Sequence, residues 1–220
     1  MKDEVILSHI DHTLLKATAA WPEIEKLCEE ALRYHTASVC VPPSYVKRIR
    51  ERFPALNVCT VIGFPLGYSA AGIKAAEAAQ AAADGAGEID MVVNLGDVKN
   101  GDFDKVTDEI RAVRAAAGDR ILKVIIETCY LTEDEKAGLC RSVTEGGADY
   151  IKTSTGFGTA GAKIEDIRLF KKHIGPKVKI KAAGGVKTRE DLELFLGEGC
   201  DRIGTSSAVV MLKGATSEAY

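Results

Sequence analysis

The sequence of 220 residues predicts one (β/α)8 barrel, a single catalytic domain over residues 1–220. Three observations lead there. Eight short β-rich runs alternate with longer runs of helical periodicity. Most of the helical runs stop on a glycine. The strands carry lysine, aspartate and glutamate at alternate positions, which calls for a shared interior. An open doubly wound sheet is the alternative.

The chain opens with a predicted strand over 8–14. A helix follows over 21–35, where Ile24, Leu27, Cys28, Ala31 and Leu32 form the buried stripe. Trp21-Pro22 is an ordinary helix start. Strands over 38–41 and 58–63 come next, then a helix over 70–85. The remaining strands cover 88–94, 121–127, 150–154, 178–182 and 202–204. Helices over 102–117, 132–146, 163–174 and 188–199 separate them, and a last helix opens after Ser207. Gly85, Gly118, Gly146, Gly175 and Gly199 are the expected C-terminal stops, because glycine takes the left-handed conformation cheaply.

Bulk properties narrow the function. Hydrophobic residues are 46% and charged residues 28%, ordinary for a globular protein. The formal net charge is −3, with no basic stripe, which argues against nucleic acid as a partner. The six cysteines form no C-x-x-C pair and lie in apolar runs, so they read as buried free thiols in a reducing compartment. His9, His12, His35 and His173 make no metal set. The N-terminus does not read as a signal peptide, and no run is long enough to span a bilayer. The expected location is cytoplasmic, with no membrane partner.

Alternation along a strand divides its residues between two faces. In EIDMVVN, Ile89, Met91 and Val93 suit the layer under the helices, so Glu88, Asp90, Val92 and Asn94 face the axis. The same rule groups Lys123 with Ile125 and Glu127, Tyr150 with Lys152 and Ser154, and Lys179 with Lys181. Charges in such an interior are costly unless paired. A structural ion-pair network is one reading, and Glu127 with Lys123 would be part of it. A reactive lysine is the other. To attack a carbonyl a lysine must be neutral, although its free pKa is about 10.4. Lys152 and Lys181 fall at matching depth on adjacent strands, so each weakens the other's hold on its proton. Asp90 stands ready to move protons. Periodicity alone leaves Lys123, Lys152, Lys179 and Lys181 open as the nucleophile.

Glycine-rich turns follow three consecutive strands: Thr153 to Gly156, Gly184 to Lys187, and Gly204 to Ser207. Such turns after strands seven and eight commonly hold a phosphate on backbone N–H groups. Cys40 lies at a strand end and is read as a buried thiol.

At these residues the chain resembles the deoxyribose-phosphate aldolases. The likeness is carried by IDHTLLK at 10–16, VCVPPSYV at 39–46, VIGFPLG at 61–67, EIDMVVN at 88–94 and LKVIIET at 122–128. It continues through DYIKTSTGF at 149–157, KIKAAGGV at 179–186 and IGTSS at 203–207, in the family's order. The resemblance implies a class I aldolase that interconverts 2-deoxy-D-ribose 5-phosphate with acetaldehyde and D-glyceraldehyde 3-phosphate. It implies Lys152 as the imine-forming residue, and Lys181 and Asp90 as the proton-transfer pair. It implies Asp11 and Thr13 near the substrate hydroxyls. Thr155, Gly156, Gly184, Gly185, Gly204, Ser206 and Ser207 would hold the phosphate. Lys123 and Lys187 are further candidates, and Tyr220 at the C-terminus would assist proton exchange. The resemblance calls for neither metal nor cofactor, for carbohydrate and deoxyribonucleotide catabolism, and for a homodimer.

Two positions depart from the family pattern. Phe157 stands where some members carry lysine, and Lys187 where arginine is common. Lysine lacks arginine's planar bidentate grip. The competing readings are another phosphate-sugar barrel enzyme, either a different Schiff-base aldolase or an acid–base isomerase, and a non-catalytic sugar-phosphate binder.

Overall fold

The computed structural model describes residues 1–212, and Tyr220 lies outside them. Eight parallel strands close into a barrel in sequence order, as the charged alternation requires. They are β1 (Ile10–Thr13), β2 (Ser38–Val41), β3 (Val58–Ile62), β4 (Glu88–Val92), β5 (Ile121–Ile125), β6 (Tyr150–Lys152), β7 (Lys179–Ala183) and β8 (Arg202–Thr205). The helices are α1 (Asp3–Leu7), α2 (Trp21–Tyr34), α3 (Val46–Arg52), α4 (Ala71–Ala83), α5 (Leu95–Lys99), α6 (Phe103–Ala117), α7 (Glu133–Glu145), α8 (Ile164–His173), α9 (Arg189–Glu198) and α10 (Ala208–Leu212). The barrel is closed by pairing of β1 with β8, Ile10 opposite Ile203.

The outward strand faces are apolar and build the main core against the helices. Ile89, Met91 and Val93 are fully buried there, as are Leu122, Val124 and Ile151. Each such side chain contributes roughly 1.5–3 kcal/mol by leaving water. Polar residues therefore have only the inward face or the loops left to occupy.

Several expectations need correction. Strands β4 and β5 stop two residues short of the predicted ends, so Asn94 and Glu127 do not continue the inward sets. Asn94 instead caps α5, its side chain accepting from the Gly96 N–H at 3.0 Å. Glu127 adopts φ +52, which turns its carboxylate into the mouth rather than toward Lys123. Leu32 is not part of the α2 stripe and is 38% exposed. Gly85, Gly118 and Gly199 have positive φ, but Gly146 and Gly175 do not. Those two are glycine for space: a Cβ would collide with Ile110 at Gly146 and with Thr144 at Gly175. The left-handed residue after α7 is Gly147. Helices α1, α3 and α5, of five to seven residues, were not anticipated.

One buried ion pair lies outside the barrel axis. Lys74 on α4 contacts Glu109 on α6 at 2.8 Å and donates to the Val92 carbonyl at 2.8 Å. It ties both helices to the end of β4. Burial lowers the Lys74 pKa and raises that of Glu109. Removing one partner leaves a stranded polar group. Lys74→Met is expected to cost about 3 kcal/mol in chemical denaturation, and Lys74→Met with Glu109→Leu to recover most of it. A single substitution as stable as wild type would contradict this.

Candidate active site

Asp90 sits at the centre of the barrel interior. Its Oδ1 accepts from Lys123 on β5 at 2.8 Å. Its Oδ2 accepts from Lys152 on β6 and from Lys181 on β7, both at 2.7 Å. The register explains the convergence. Asp90 is the partner of Lys123, Lys152 is the partner of Lys181, and Lys181 is the partner of Arg202. All these residues take the inward position on their strands.

A second layer lies beneath. Lys123 also pairs with Glu88 at 2.5 Å, and Lys181 with Asp11 at 2.5 Å. Arg202 bonds Asp11 and reaches Glu88 at 3.0 Å. Ser38 donates to Asp11 at 2.7 Å and Asn57 to Glu88 at 2.7 Å. Every one of these charges is at least nine-tenths buried.

Burial alone would raise Asp11 and Asp90, yet the cations reverse the sign. Lys181, Lys123 and Arg202 lower Asp11. Lys123, Lys152 and Lys181 hold Asp90 well below the usual carboxylate range. Burial likewise opposes charge on Lys123, Lys181 and Arg202. Asp90 chiefly raises Lys123, Asp11 and Asp90 raise Lys181, and Asp11 and Glu88 raise Arg202. Three cations are thus fixed by carboxylates. Lys152 shares one oxygen of Asp90 with Lys181, and among the described residues no other carboxylate lies within ion-pair distance of it. It is also the lysine of the three that opens to the cleft.

Among the described residues two groups of donor atoms lie within metal-binding range: Cys40, Cys59 and Asp90, and Asp11, Cys59 and Glu88. The Lys123 ammonium stands among them, 3.4 Å from Cys59 Sγ and in contact with Glu88 and Asp90. A lysine is the built-in cation of this interior. Cys40 and Cys59 are register partners on β2 and β3, and both are buried, as expected of thiols. Burial pushes Cys59 up, and it donates to Asp90 Oδ1 at 3.2 Å.

The cleft opens at the C-terminal ends of the strands. Lys152, Thr13, Thr155, Gly156, Gly184, Gly185, Gly204 and Ser206 line it. Gly156, Gly184 and Gly185 have φ of +89, +76 and +73, a backbone that turns its N–H groups without a side-chain clash. Consecutive left-handed glycines form an anion-binding concavity. Gly161 packs against Gly184 so tightly that a Cβ would overlap its backbone. Glu127 fixes the neighbouring loop: it accepts from the Thr155 N–H at 3.1 Å and from the Thr155 hydroxyl. Burial raises the Glu127 pKa.

Other predicted residues lie elsewhere. Asp11 is beneath the cleft, not on its wall, because Thr13 stands two residues nearer the mouth on the same face. Ser207 is buried beside Thr205, at 3.4 Å between hydroxyls, and Thr205 takes the cleft position. Lys187 is exposed and outside the lining. Lys179 is exposed at the start of β7, over the Tyr150 ring at 5.7 Å. Glu127 and Lys123 make no pair among the described contacts. Arg202 and Glu88 were not singled out as site residues. Alternation did place Glu88 inward, and an arginine two residues before Gly204 is the signal that was available.

Comparison with known proteins follows the same lines. The profile of the DeoC/LacD family aldolases matches residues 5–210. The chain is 62% identical over 221 residues to a protein of Clostridium botulinum (strain Alaska E43 / Type E3) named deoxyribose-phosphate aldolase, covering all of both chains. A protein of Clostridioides difficile (strain 630) with the same name is 54% identical, over 98% of this chain and 99% of that one. Among solved structures, the deoxyribose phosphate aldolase of Aeropyrum pernix, described as a unique tetramer, superposes with a TM-score of 0.89. It is 32% identical and covers 97% of this chain and 92% of its own.

The charge network has a pH signature. A carboxylate with a depressed pKa contributes stability above its ordinary value, and that contribution fades as pH falls through the depressed one. Asp90→Asn is expected to cost roughly 3–5 kcal/mol near neutral pH. The gap to wild type should hold from about pH 8 to about pH 5, then narrow below 3.8. A gap that stays constant in strong acid would contradict the ion-pair account.

Proposed function

The chain belongs to the DeoC/LacD family of aldolases, and from that premise we propose that it cleaves 2-deoxy-D-ribose 5-phosphate through an imine on Lys152. It is an enzyme of the carbon–carbon lyase class, a deoxyribose-phosphate aldolase by family. The single observation that carries the site assignment is the unequal sharing of carboxylates. Lys123, Lys181 and Arg202 each have at least two, whereas Lys152 has half of one.

In this reading the neutral Lys152 amine attacks the C1 aldehyde of the open-chain sugar. The carbinolamine loses water to give an iminium, and the C1=N bond becomes an electron sink. Removal of the C3 hydroxyl proton then breaks the C2–C3 bond. The C3 fragment leaves as glyceraldehyde 3-phosphate and the electron pair rests in an enamine. Protonation at C2 and addition of water release acetaldehyde and restore Lys152.

Asp90 and Lys181 move these protons as an acceptor and donor pair. Asp90 Oδ2 touches both lysine nitrogens, so one oxygen links the nucleophile to its partner. Thr13 is suited to the substrate hydroxyls, and the amides of Gly184 and Gly185 to the phosphate, with Gly156, Gly204 and Ser206 around it. Asp11 acts through Lys181 and does not reach the substrate. The whole chain serves one catalytic barrel. Among the described residues no helix is long and apolar enough to cross a membrane. The substrate's place in deoxyribonucleotide breakdown supports a cytoplasmic enzyme, and a homodimer is the assembly we expect.

Borohydride reduction in the presence of acetaldehyde tests the mechanism. Peptide mapping should find the adduct on Lys152 alone. Lys181→Leu should slow trapping by roughly 10²-fold or more, the usual worth of a proton-transfer partner. Turnover with no adduct on any lysine would favour an acid–base isomerase chemistry and overturn the imine.

A further inference from the structure

The barrel interior is a connected set of ion pairs that meets the cleft at Lys152. Asp11, Glu88 and Asp90 are its carboxylates, and Lys123, Lys152, Lys181 and Arg202 its cations. Among the ion-paired groups three carboxylates face four cations, and Glu127, buried above them, acts on Lys152 from outside the pairs. Lys152 has the smallest share of paired carboxylate in this set, because each of the other cations contacts at least two.

Arg202 supplies one of those cations. It is the register partner of Lys181, and it does not line the cleft. It bonds Oδ1 of Asp11 while Lys181 bonds Oδ2 of the same carboxylate. It also takes Glu88 Oε1 at 3.0 Å, leaving Oε2 to Lys123. Without Arg202, Asp11 and Glu88 would draw more on Lys181 and Lys123, leaving more of Asp90 to Lys152.

We propose that Arg202 is a positioning residue for the nucleophile: its buried charge sets the pH at which Lys152 forms the imine. The inference rests on the imine reading above. Other groups face these two residues from every neighbouring strand. Around Lys152 they are Cys40 on β2, Cys59 on β3, Asp90 on β4, Lys123 and Glu127 from β5 and the turn after it, and Lys181 on β7. Around Arg202 they are Asp11 on β1, Glu88 on β4, Tyr150 on β6 and Lys181 on β7. Glu127 is turned to Thr155 and makes no ion pair among the described contacts. Cys59 keeps its proton on Asp90.

The test is the pH profile of borohydride trapping with acetaldehyde, mapped to Lys152, in four variants. Arg202→Met removes one positive charge and should move the midpoint up by about one pH unit. That is the scale of one charge acting across two ion pairs at an effective dielectric of about 20. Glu88→Gln removes one negative charge and should move it down by a similar amount. Arg202→Met with Glu88→Gln should return it close to wild type. Arg202→Lys keeps the charge and should keep the midpoint, even where its different shape lowers the amount of folded protein. A purely structural arginine would reduce activity in both single variants with the midpoint fixed, and that result would overturn the proposal. If wild type is trapped on a lysine other than Lys152, the imine reading itself fails, and this inference with it.

Discussion

The carboxylate of Asp90 is the constraint on which the rest of the interior depends. It receives three ammonium groups from three strands in a space buried from solvent. In such surroundings an unpaired charge costs several kcal/mol, so every partner must be held in place. The second layer exists for that purpose. Asp11 and Glu88 give Lys181 and Lys123 their own carboxylates, and Arg202, Ser38 and Asn57 hold those carboxylates in turn. Lys152 stands at the edge of this arrangement, with the weakest share of negative charge and the only opening to the cleft among the three lysines. The reactivity proposed for it would be a property of the whole set.

The barrel makes such a set affordable. Apolar strand faces turn outward to the helices and build the core, so the axis is free to be polar. Parallel closure then brings residues distant in the sequence, such as Asp11 and Arg202, onto neighbouring strands. The glycines that line the cleft lie at the same strand ends: Gly184 and Gly185 follow β7 directly, Gly204 is in β8, and Gly156 is in the turn after β6. Gly161 against Gly184 and Glu127 against Thr155 fix the loops above, as the ion pairs fix the residues below.

Much of this was legible in the sequence because a strand has a period of two. Alternation alone set Glu88, Asp90, Lys123, Lys152 and Lys181 on one face. It failed where the ladder ends. Asn94 and Glu127 have the right parity but lie past the last paired residue, so a cap and a left-handed turn decide their directions. Choosing among the lysines needed register, which parity does not contain. The motif resemblance supplied that choice, and the geometry adds that Lys152 shares Asp90 Oδ2 with Lys181. Arg202 was overlooked because its importance lies in partners on β1 and β4, far off in sequence. The short helices α1, α3 and α5 are too brief to display a helical period.

The central claim is that this charge arrangement leaves Lys152 as the one interior lysine able to act as a free amine. Competitive acylation of the native protein near neutral pH, with each lysine followed by peptide mass mapping, measures that directly. The account predicts that Lys152 is modified while Lys123 and Lys181 stay protected until the protein unfolds. Modification of Lys181 as fast as Lys152, in protein that is still folded, would contradict it.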